Sequence, residues 1–326
     1  MLTLRRAIAP VALAVLWPAF ALAADLPSWN EGPAKAAVVA FVQGVTAKGG
    51  GSFVPPEERV AVFDNDGTLW SEQPVYFQFL FALDKAKALA AADPAWASTP
   101  ALKAAADGDM ETIMSGGEQA LVEIVGATHS GMTVEAFTAE VADWIAQAKH
   151  PQSGRLYTRM IYQPMRELLD YLRANDFEVY IVSGGGVDFM RAFAEQAYGI
   201  PPDHVIGSMG KAEFKIVDGV PQVMKDPGVT FIDDKEGKPV GIARHIGKRP
   251  LFVGGNSDGD LAMAQWATAG DGPRFALFVH HTDAEREFAY DRESHIGTFD
   301  KALDEAQAKG WTVVDMARDW KLVWPE

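Results

Sequence analysis

The 326-residue sequence contains no cysteine, which excludes disulfide bonds, thiolate catalysis and thiolate metal sites. Basic residues are also scarce, because 29 Lys and Arg stand against 44 Asp and Glu, giving a formal net charge of −15. A general nucleic-acid binder needs a basic surface that displaces counterions from phosphates, so this balance argues against that class. The hydrophobic content of 48% is that of a globular chain able to bury a large core, which excludes wholesale disorder.

Long uncharged apolar runs are absent after the first 24 residues. At the start of the chain, two arginines precede an apolar stretch over 8–20, and residues 21–23 offer a small-x-small cleavage pattern. A membrane-anchoring helix is disfavoured because the run is short and contains two prolines. We therefore predict a signal peptide over 1–23, a periplasmic or secreted mature chain, and no membrane span after cleavage.

Strand and helix patterns alternate along the rest of the chain. Buried β-branched runs over 58–63, 177–182 and 250–253 each end in a polar or glycine-rich loop. Further helices are predicted over 33–45, 163–174, 188–198, 237–245 and 299–309, strands over 275–279 and 311–314, and short strands with a hairpin at 218–219 over 205–224. This order predicts an α/β fold, a Rossmann-like parallel sheet with helices on both faces.

One stretch departs from the alternation. Residues 73–150 show helix after helix and no convincing strand, which predicts an α-helical cap inserted into the core. The predicted domains are a catalytic core over 24–72 and 160–326 and a cap over 73–159. Ligands of parallel sheets bind outside the carboxyl ends of the strands, where the three polar loops lie.

The first polar loop contains Asp64 and Asp66, two positions apart at the end of a buried strand. If the chain is extended there, both carboxylates point to one side and repel, so one of them needs a proton or a cation. A hard divalent cation, with Mg²⁺ as the first candidate, would remove the repulsion between the two carboxylates. One acid could then serve as nucleophile and the other as general acid/base. The alternative is a turn that only satisfies backbone groups.

The second and third loops add an anion site and more acids. Ser183 with the three following glycines suits phosphate oxygens, the alternative being a flexible turn. Asn256 and Asp260 could reach the same cation from the opposite side, and an N-cap for the following helix is the alternative. Lys238 opens the short helix before the third buried strand. The competing lysines are Lys225, Lys235 and Lys248.

Together these loops resemble the haloacid-dehalogenase-like hydrolase superfamily, especially its phosphoserine-phosphatase-like members. The run Asp64-Asn65-Asp66-Gly67-Thr68-Leu69 matches the first motif, Asp-x-Asp-Gly-Thr. Ser183 matches the second motif and Lys238 the third. Residues 255–263 resemble the fourth motif, Gly-Asp-x-x-x-Asp-Leu-x-Met. The resemblance covers residues 60–279, while the cap matches nothing that we can name.

The resemblance implies the catalytic roles. Asp64 attacks phosphorus and becomes an aspartyl phosphate, and Asp66 protonates the leaving oxygen and then activates water. Ser183, with Gly184 beside it, and Lys238 hold and neutralise the phosphoryl oxygens. Phosphoryl transfer depends mostly on positioning and charge stabilisation, which agrees with such a set.

The resemblance also implies a Mg²⁺ site, formed by the Asp64 carboxylate, the Asp66 backbone carbonyl and residue 256, with Asp260 in support. The family usually has aspartate at position 256. Asn256 keeps a carbonyl oxygen for the cation but removes one negative charge. We expect either weaker metal binding or replacement of Asn256 by Asp258.

The leading hypothesis is a Mg²⁺-dependent phosphatase that acts on small phosphate monoesters. The hypothesis of a dehalogenase is weakened by Asp66, because dehalogenation does not need a second acid to protonate an alkoxide leaving group. A non-catalytic binder of phosphate ligands is motivated by Asn256, but retention of Asp64, Asp66 and Ser183 argues against it. The expected partner is a small phosphate ester; the pattern does not decide the substrate or the oligomeric state.

Aromatic residues crowd around Glu72 after the first motif, namely Trp70, Tyr76, Phe77 and Phe79. One interpretation is the core of a hinge, since aromatic side chains mostly bury area. The other is a substrate pocket in which Glu72 and the rings bind an apolar or cationic leaving group. The pair His280-His281 is predicted to be a turn.

Overall fold

The computed structural model describes residues 26–325, and the predicted signal peptide lies outside them. Within that range one sheet contains β1 (Val60–Phe63), β2 (Glu178–Gly186), β3 (Val205–Val217), β4 (Val220–Phe231), β5 (Phe252–Gly255), β6 (Phe275–His280) and β7 (Thr312–Asp315). Their order is β4-β3-β2-β1-β5-β6-β7. All neighbouring strands pair in parallel except β4, which pairs antiparallel to β3 at one edge.

Helices fill the connections between these strands. They are α1 (Pro33–Thr46), α2 (Phe77–Ala92), α3 (Pro100–Asp107), α4 (Met110–Ser115), α5 (Gly117–Thr128), α6 (Val134–Ile145), α7 (Gln163–Ala174), α8 (Val187–Arg191), α9 (Ala194–Tyr198), α10 (Gly237–His245), α11 (Leu261–Thr268), α12 (Lys301–Lys309) and α13 (Met316–Asp319). No helix within residues 26–325 is both long enough and apolar enough to span a bilayer.

The central strands of the sheet are buried on both faces, whereas most of the β3–β4 hairpin is exposed. Successive side chains of a strand point to opposite faces, and in β1 Ala61 and Phe63 join one apolar cluster while Val60 and Val62 join another. Helices α1, α7 and α9 contribute to the first cluster, and α10, α11 and α12 to the second. The predicted α/β architecture, a parallel sheet between two layers of helices, is confirmed.

Three predicted elements were wrong in length, and one of them is β2, which continues beyond the predicted 177–182 to Gly186. The helix predicted over 188–198 is divided into α8 and α9, because the chain leaves helical geometry at Phe193, whose buried ring stacks on Trp70 at 4.6 Å. The short strands predicted over 205–224 are two long ones, since β3 and β4 pair from residue 209 to the turn. Asp218 and Gly219 form that turn with φ of 52° and 80°, as the hairpin prediction requires.

The predicted run of helices after β1 is present as α2 to α6. Helices α2, α3, α4 and α5 share an apolar cluster of their own, separate from the two clusters of the sheet; it includes Phe79, Ala82, Leu102, Ile113 and Ile124. The bounds of the cap, 73–159, stay a prediction.

Candidate active site

Strand β1 lies between β2 and β5, so the loops that follow the three strands meet at one edge of the sheet. Asp64 comes directly after β1, Ser183 lies near the end of β2, and Asn256 follows β5; all three are buried. A side chain placed at Gly185 would lie 3.5 Å from the Ser183 Oγ and 3.7 Å from Asp66 Oδ2. The topology thus brings together the residues that the motifs single out.

Lys238 lies at the centre of this edge. Its Nζ donates hydrogen bonds of 2.6 Å to Asp64 Oδ1 and of 2.6 Å to Asp260 Oδ1, and the side chain is 2% exposed. Among the competing lysines, Lys225 binds Asp188 and Lys248 binds the Glu57 carbonyl. Lys238 is therefore the lysine that contacts Asp64, as its assignment to the third motif implies, and the phosphate-neutralising role stays a prediction.

The charges of this buried group are coupled. Burial alone would lower the pKa of Lys238, but the carboxylates of Asp260 and Asp64 raise it, so the ammonium stays charged. Burial raises the pKa of Asp64 against the opposing charge of Lys238, and the charges of Asp260 and Asp66 raise it further. A nucleophilic carboxylate here depends on the cation next to it.

Asp66 has a different environment from Asp64. Its Oδ1 accepts a hydrogen bond of 2.8 Å from the indole of Trp70. Burial raises the pKa of Asp66 to about 6, although the hydrogen bonds from Trp70 and Asn65 oppose the rise. A carboxyl group that titrates close to neutral pH can both give and take a proton, as a general acid/base must.

Asp260 supports the site through both of its oxygens. While Oδ1 accepts from Lys238, Oδ2 accepts the backbone N–H groups of Asn256 at 2.9 Å and Ser257 at 3.1 Å. Ser257 and Asp260 also form a capping box at the start of the following turn. The capping interaction is thus present at the turn before α11, and Asp260 holds Lys238 and the Asn256 backbone in place, while its support of a metal site stays a prediction.

Asp258 faces away from this group. Its carboxylate accepts the backbone N–H groups of Asp300, Lys301 and Ala302, where α12 begins. The interpretation in which Asp258 replaces Asn256 at a metal is therefore not supported by the geometry.

The glycine-rich segment after Ser183 forms the end of β2, and a residue of α2 lies against it. The Ser183 Oγ accepts from the Gly185 N–H at 3.2 Å, and the Gly186 N–H donates to Oε1 of Gln78 in α2 at 2.7 Å, while Gly184 is exposed. The segment leads into α8, which has only five residues, so individual N–H groups rather than a long helix dipole would hold an anion. Sequence reasoning missed Gln78.

Oxygen atoms suited to Mg²⁺ are present at this edge. Asp64 Oδ1 is bound by Lys238, whereas Oδ2 makes no side-chain hydrogen bond within residues 26–325, and Asn256 Oδ1 accepts only from Thr68 there, at 3.1 Å. In the same range no group of three or more acidic or histidine side chains could hold a metal ion. Mg²⁺ takes one or two carboxylates and keeps several waters, so a set of two side-chain oxygens and a backbone carbonyl fits it.

The aromatic residues after the first motif are mostly core. Trp70 and Phe77 are 1% and 0% exposed and contact each other, and Phe79 belongs to the apolar cluster of the cap, whereas Tyr76 is 41% exposed. The geometry therefore favours the hinge interpretation for three of the four rings, and the binding of substrate by Glu72 stays a prediction.

Glu72 itself is buried beside Asn256. Its Oε1 accepts hydrogen bonds of 2.7 Å from Asn256 Nδ2 and of 2.7 Å from the Tyr290 hydroxyl. Burial raises the pKa of Glu72 well above its usual range, the hydrogen bonds from Tyr290 and Asn256 oppose this, and the charges of Asp66 and Asp64 add to it. Tyr290 was not singled out by the sequence.

His281 is part of the site's framework, and its assignment as a turn residue was wrong. The ring is 2% exposed, its Nε2 lies 2.8 Å from the Gly67 carbonyl, and its Nδ1 lies 3.4 Å from Glu287 Oε2. It also stacks on Tyr290 at 4.3 Å. Its position directly after β6, at the carboxyl edge of the sheet, is the signal that could have found it.

Comparisons with known proteins agree with this geometry. The model of the haloacid dehalogenase-like hydrolase family matches residues 61–265, and the chain belongs to that family. No curated protein matches the sequence.

Solved structures resemble the chain at low sequence identity. The chain is similar to a conserved, functionally unknown protein from Anaerococcus prevotii DSM 20548 (16% identity, 86% of this chain and 91% of that chain, TM-score 0.54). It is also similar to a protein of unknown function from Bordetella pertussis Tohama I (19%, 79% and 99%, TM-score 0.49). A third similar structure is a phosphoserine phosphohydrolase-like protein from Francisella tularensis subsp. tularensis SCHU S4 (16% identity, 80% of this chain and 95% of that chain, TM-score 0.42). The first of these likenesses supports the fold alone.

Proposed function

We propose that this hydrolase is a Mg²⁺-dependent phosphatase that cleaves small phosphate monoesters through an aspartyl-phosphate intermediate. The observation that carries the proposal is the buried contact between Asp64 and Lys238. Asp66, two positions further along the chain, is held by a hydrogen bond from the Trp70 indole. A nucleophile, a fixed cation and an acid/base group that titrates near neutral pH are the parts this reaction needs.

In the proposed reaction, a carboxylate oxygen of Asp64 attacks phosphorus and the bond to the ester oxygen breaks. Asp66 gives its proton to that leaving oxygen, and the alcohol departs. Asp66, now ionised, takes a proton from water as the water attacks phosphorus, so phosphate leaves and Asp64 is regenerated. Lys238 and Ser183 hold the phosphoryl oxygens during both steps.

The Mg²⁺ would be held by the Asp64 carboxylate, the Asp66 backbone carbonyl and Asn256 Oδ1. When bound, it supplies charge neutralisation at the transferring group. Asp260 contributes indirectly, because it fixes Lys238 and the backbone at Asn256.

A panel of phosphate monoesters assayed with Mg²⁺ and with EDTA tests this function. We expect hydrolysis of at least one ester, and loss of that hydrolysis in EDTA that added Mg²⁺ reverses. Halide release from haloacids without phosphate release would favour a dehalogenase, and tight binding of phosphate esters without turnover would favour a binder. Either result would contradict the proposal.

We also propose that the mature chain is periplasmic or secreted, because of the signal pattern over residues 1–23. Fractionation of expressing cells, with mass spectrometry of the N-terminus, tests this. We expect a mature chain that begins at residue 24 outside the cytoplasm; a full-length cytoplasmic chain would contradict it.

A further inference from the structure

Asn256 has two different partners for the two ends of its side-chain amide. Its Oδ1 accepts from the Thr68 hydroxyl at 3.1 Å, and its Nδ2 donates to Glu72 Oε1 at 2.7 Å. The three side chains are at most 2% exposed, so water does not compete for these bonds. The Tyr290 hydroxyl donates to the same Glu72 oxygen, which marks that oxygen as an acceptor. The amide is therefore held with its nitrogen toward Glu72 and its oxygen toward the first motif.

The Glu72 carboxyl group is packed against two glycines. A Cβ at Gly67 would lie 2.3 Å from Glu72 Oε1, and a Cβ at Gly297 would lie 2.0 Å from it. Both glycines have positive φ, 74° and 66°, where other residues are strained. Two glycine backbones thus enclose the carboxyl oxygen, which suits a fixed contact with Asn256 better than an adjustable contact with substrate.

We propose that Glu72 is a positioning residue of the magnesium site, which holds Asn256 with its side-chain oxygen available to the cation. This inference rests on the magnesium dependence of the proposed function. It also explains the departure from the family pattern, because an aspartate at position 256 would place an oxygen 2.7 Å from Glu72 Oε1, at the present position of Nδ2. Two carboxylates at that distance repel unless they share a proton. The acid at 72 and the amide at 256 therefore fit each other, whereas two carboxylates would not.

Isothermal titration of Mg²⁺ into the metal-free full chain tests the pairing without turnover. Glu72→Met removes the acceptor, and we expect Mg²⁺ to bind about tenfold to a hundredfold more weakly, the usual effect of losing a group that orients a ligand. Glu72→Gln is the matched control, since its carbonyl oxygen can still accept from Nδ2. For this variant we expect Mg²⁺ affinity within about threefold of the unchanged chain.

The family residue provides the second arm of the experiment. We expect Asn256→Asp to bind Mg²⁺ no more tightly than the unchanged chain and to melt at a lower temperature without metal. Adding Glu72→Gln to Asn256→Asp should raise the Mg²⁺ affinity and the metal-free melting temperature above those of Asn256→Asp alone. The reason is that the new amide at position 72 can donate to the carboxylate introduced at position 256. This pair keeps the test valid if Glu72→Met does not fold.

Three results would overturn the inference. One is Mg²⁺ affinity unchanged by Glu72→Met while KM for the ester rises, which would place Glu72 at the substrate. Another is Asn256→Asp alone binding Mg²⁺ more tightly than the unchanged chain. The third is no Mg²⁺ binding by the unchanged chain. Absence of ester hydrolysis with the expected Mg²⁺ affinities would instead overturn only the phosphatase proposal.

Discussion

The loops after β1 and β5 both carry two aspartates, and the hydrogen-bond donors around those aspartates differ. After β1, Asp64 and Asp66 accept hydrogen bonds from side chains, those of Lys238 and Trp70 respectively. After β5, the carboxylate of Asp258 accepts three backbone N–H groups, and that of Asp260 accepts two and also shares the Lys238 ammonium with Asp64.

The difference shows what separates a reactive acid from a structural one. Backbone donors that surround a carboxylate satisfy its oxygens and fix it in the fold. A buried carboxyl with few donors keeps an oxygen for chemistry, and its pKa is raised because burial penalises its charge, as for Asp64 and Asp66. On this basis we expect the first loop to be reactive and the second to be a scaffold.

The comparison is tested most severely by Asp64→Asn. We expect kcat for a phosphate ester to fall on the order of a thousandfold or more, since the nucleophile is lost, while the melting temperature stays close to that of the unchanged chain. Asp66→Asn should also lose turnover but should keep Mg²⁺ affinity better, because the metal contact proposed for Asp66 is its backbone oxygen. Near-normal kcat in Asp64→Asn would refute its role as nucleophile.

Removing the scaffold acid should affect folding first. Asp260→Ala leaves the buried Lys238 ammonium with one carboxylate and frees two backbone N–H groups. We expect the free energy of unfolding, measured with urea, to fall by about 3–5 kcal/mol, the range for breaking a buried pair. A loss below that of an ordinary surface substitution would mean that the second loop is not a scaffold.

Asp233 is a buried acid that lies outside both loops. Neither of its oxygens has a hydrogen-bond partner within residues 26–325, and burial raises its pKa to about 7, against the opposing charge of Lys238. The folded state therefore holds this proton more tightly than the unfolded chain, whose carboxyl has the ordinary pKa of 3.8. The contribution of Asp233 to stability has its full size below pH 3.8 and is lost as the pH rises to about 7.

Over that window the loss amounts to about 4 kcal/mol. Asp233→Asn cannot ionise, so we expect its unfolding free energy to exceed that of the unchanged chain at pH 8 and to show a weaker decline between pH 4 and pH 7. Urea unfolding at several pH values measures both. Parallel pH curves for the two proteins would show that Asp233 does not titrate in this range.

The smallest effect is expected for Asp258→Ala. The carboxylate caps the start of α12, and loss of such a cap costs about 0.5–2 kcal/mol. Mg²⁺ affinity and kcat should not change, because the side chain faces away from Asp64. A drop in Mg²⁺ affinity measured by titration would instead make Asp258 a metal ligand and would break the comparison.

Much of this molecule could be predicted because the signals are local. The helices α7 and α10 have the bounds that their patterns indicated, and the Lys238 contact with Asp64 followed from a motif at the start of α10. The division between α8 and α9 was missed because its cause, the stacking of Phe193 on Trp70, joins distant segments.

The sequence by itself determined the alternation of strands and helices and the set of polar residues at the strand ends, since periodicity and motif spacing depend on neighbours along the chain. Only the tertiary structure decided which partner each polar group meets. Glu72 reaches Asn256 across 184 positions, and His281 reaches Gly67 across 214. The physical reason is that burial makes a polar side chain depend on the one donor or acceptor packed against it, and that neighbour comes from elsewhere in the chain.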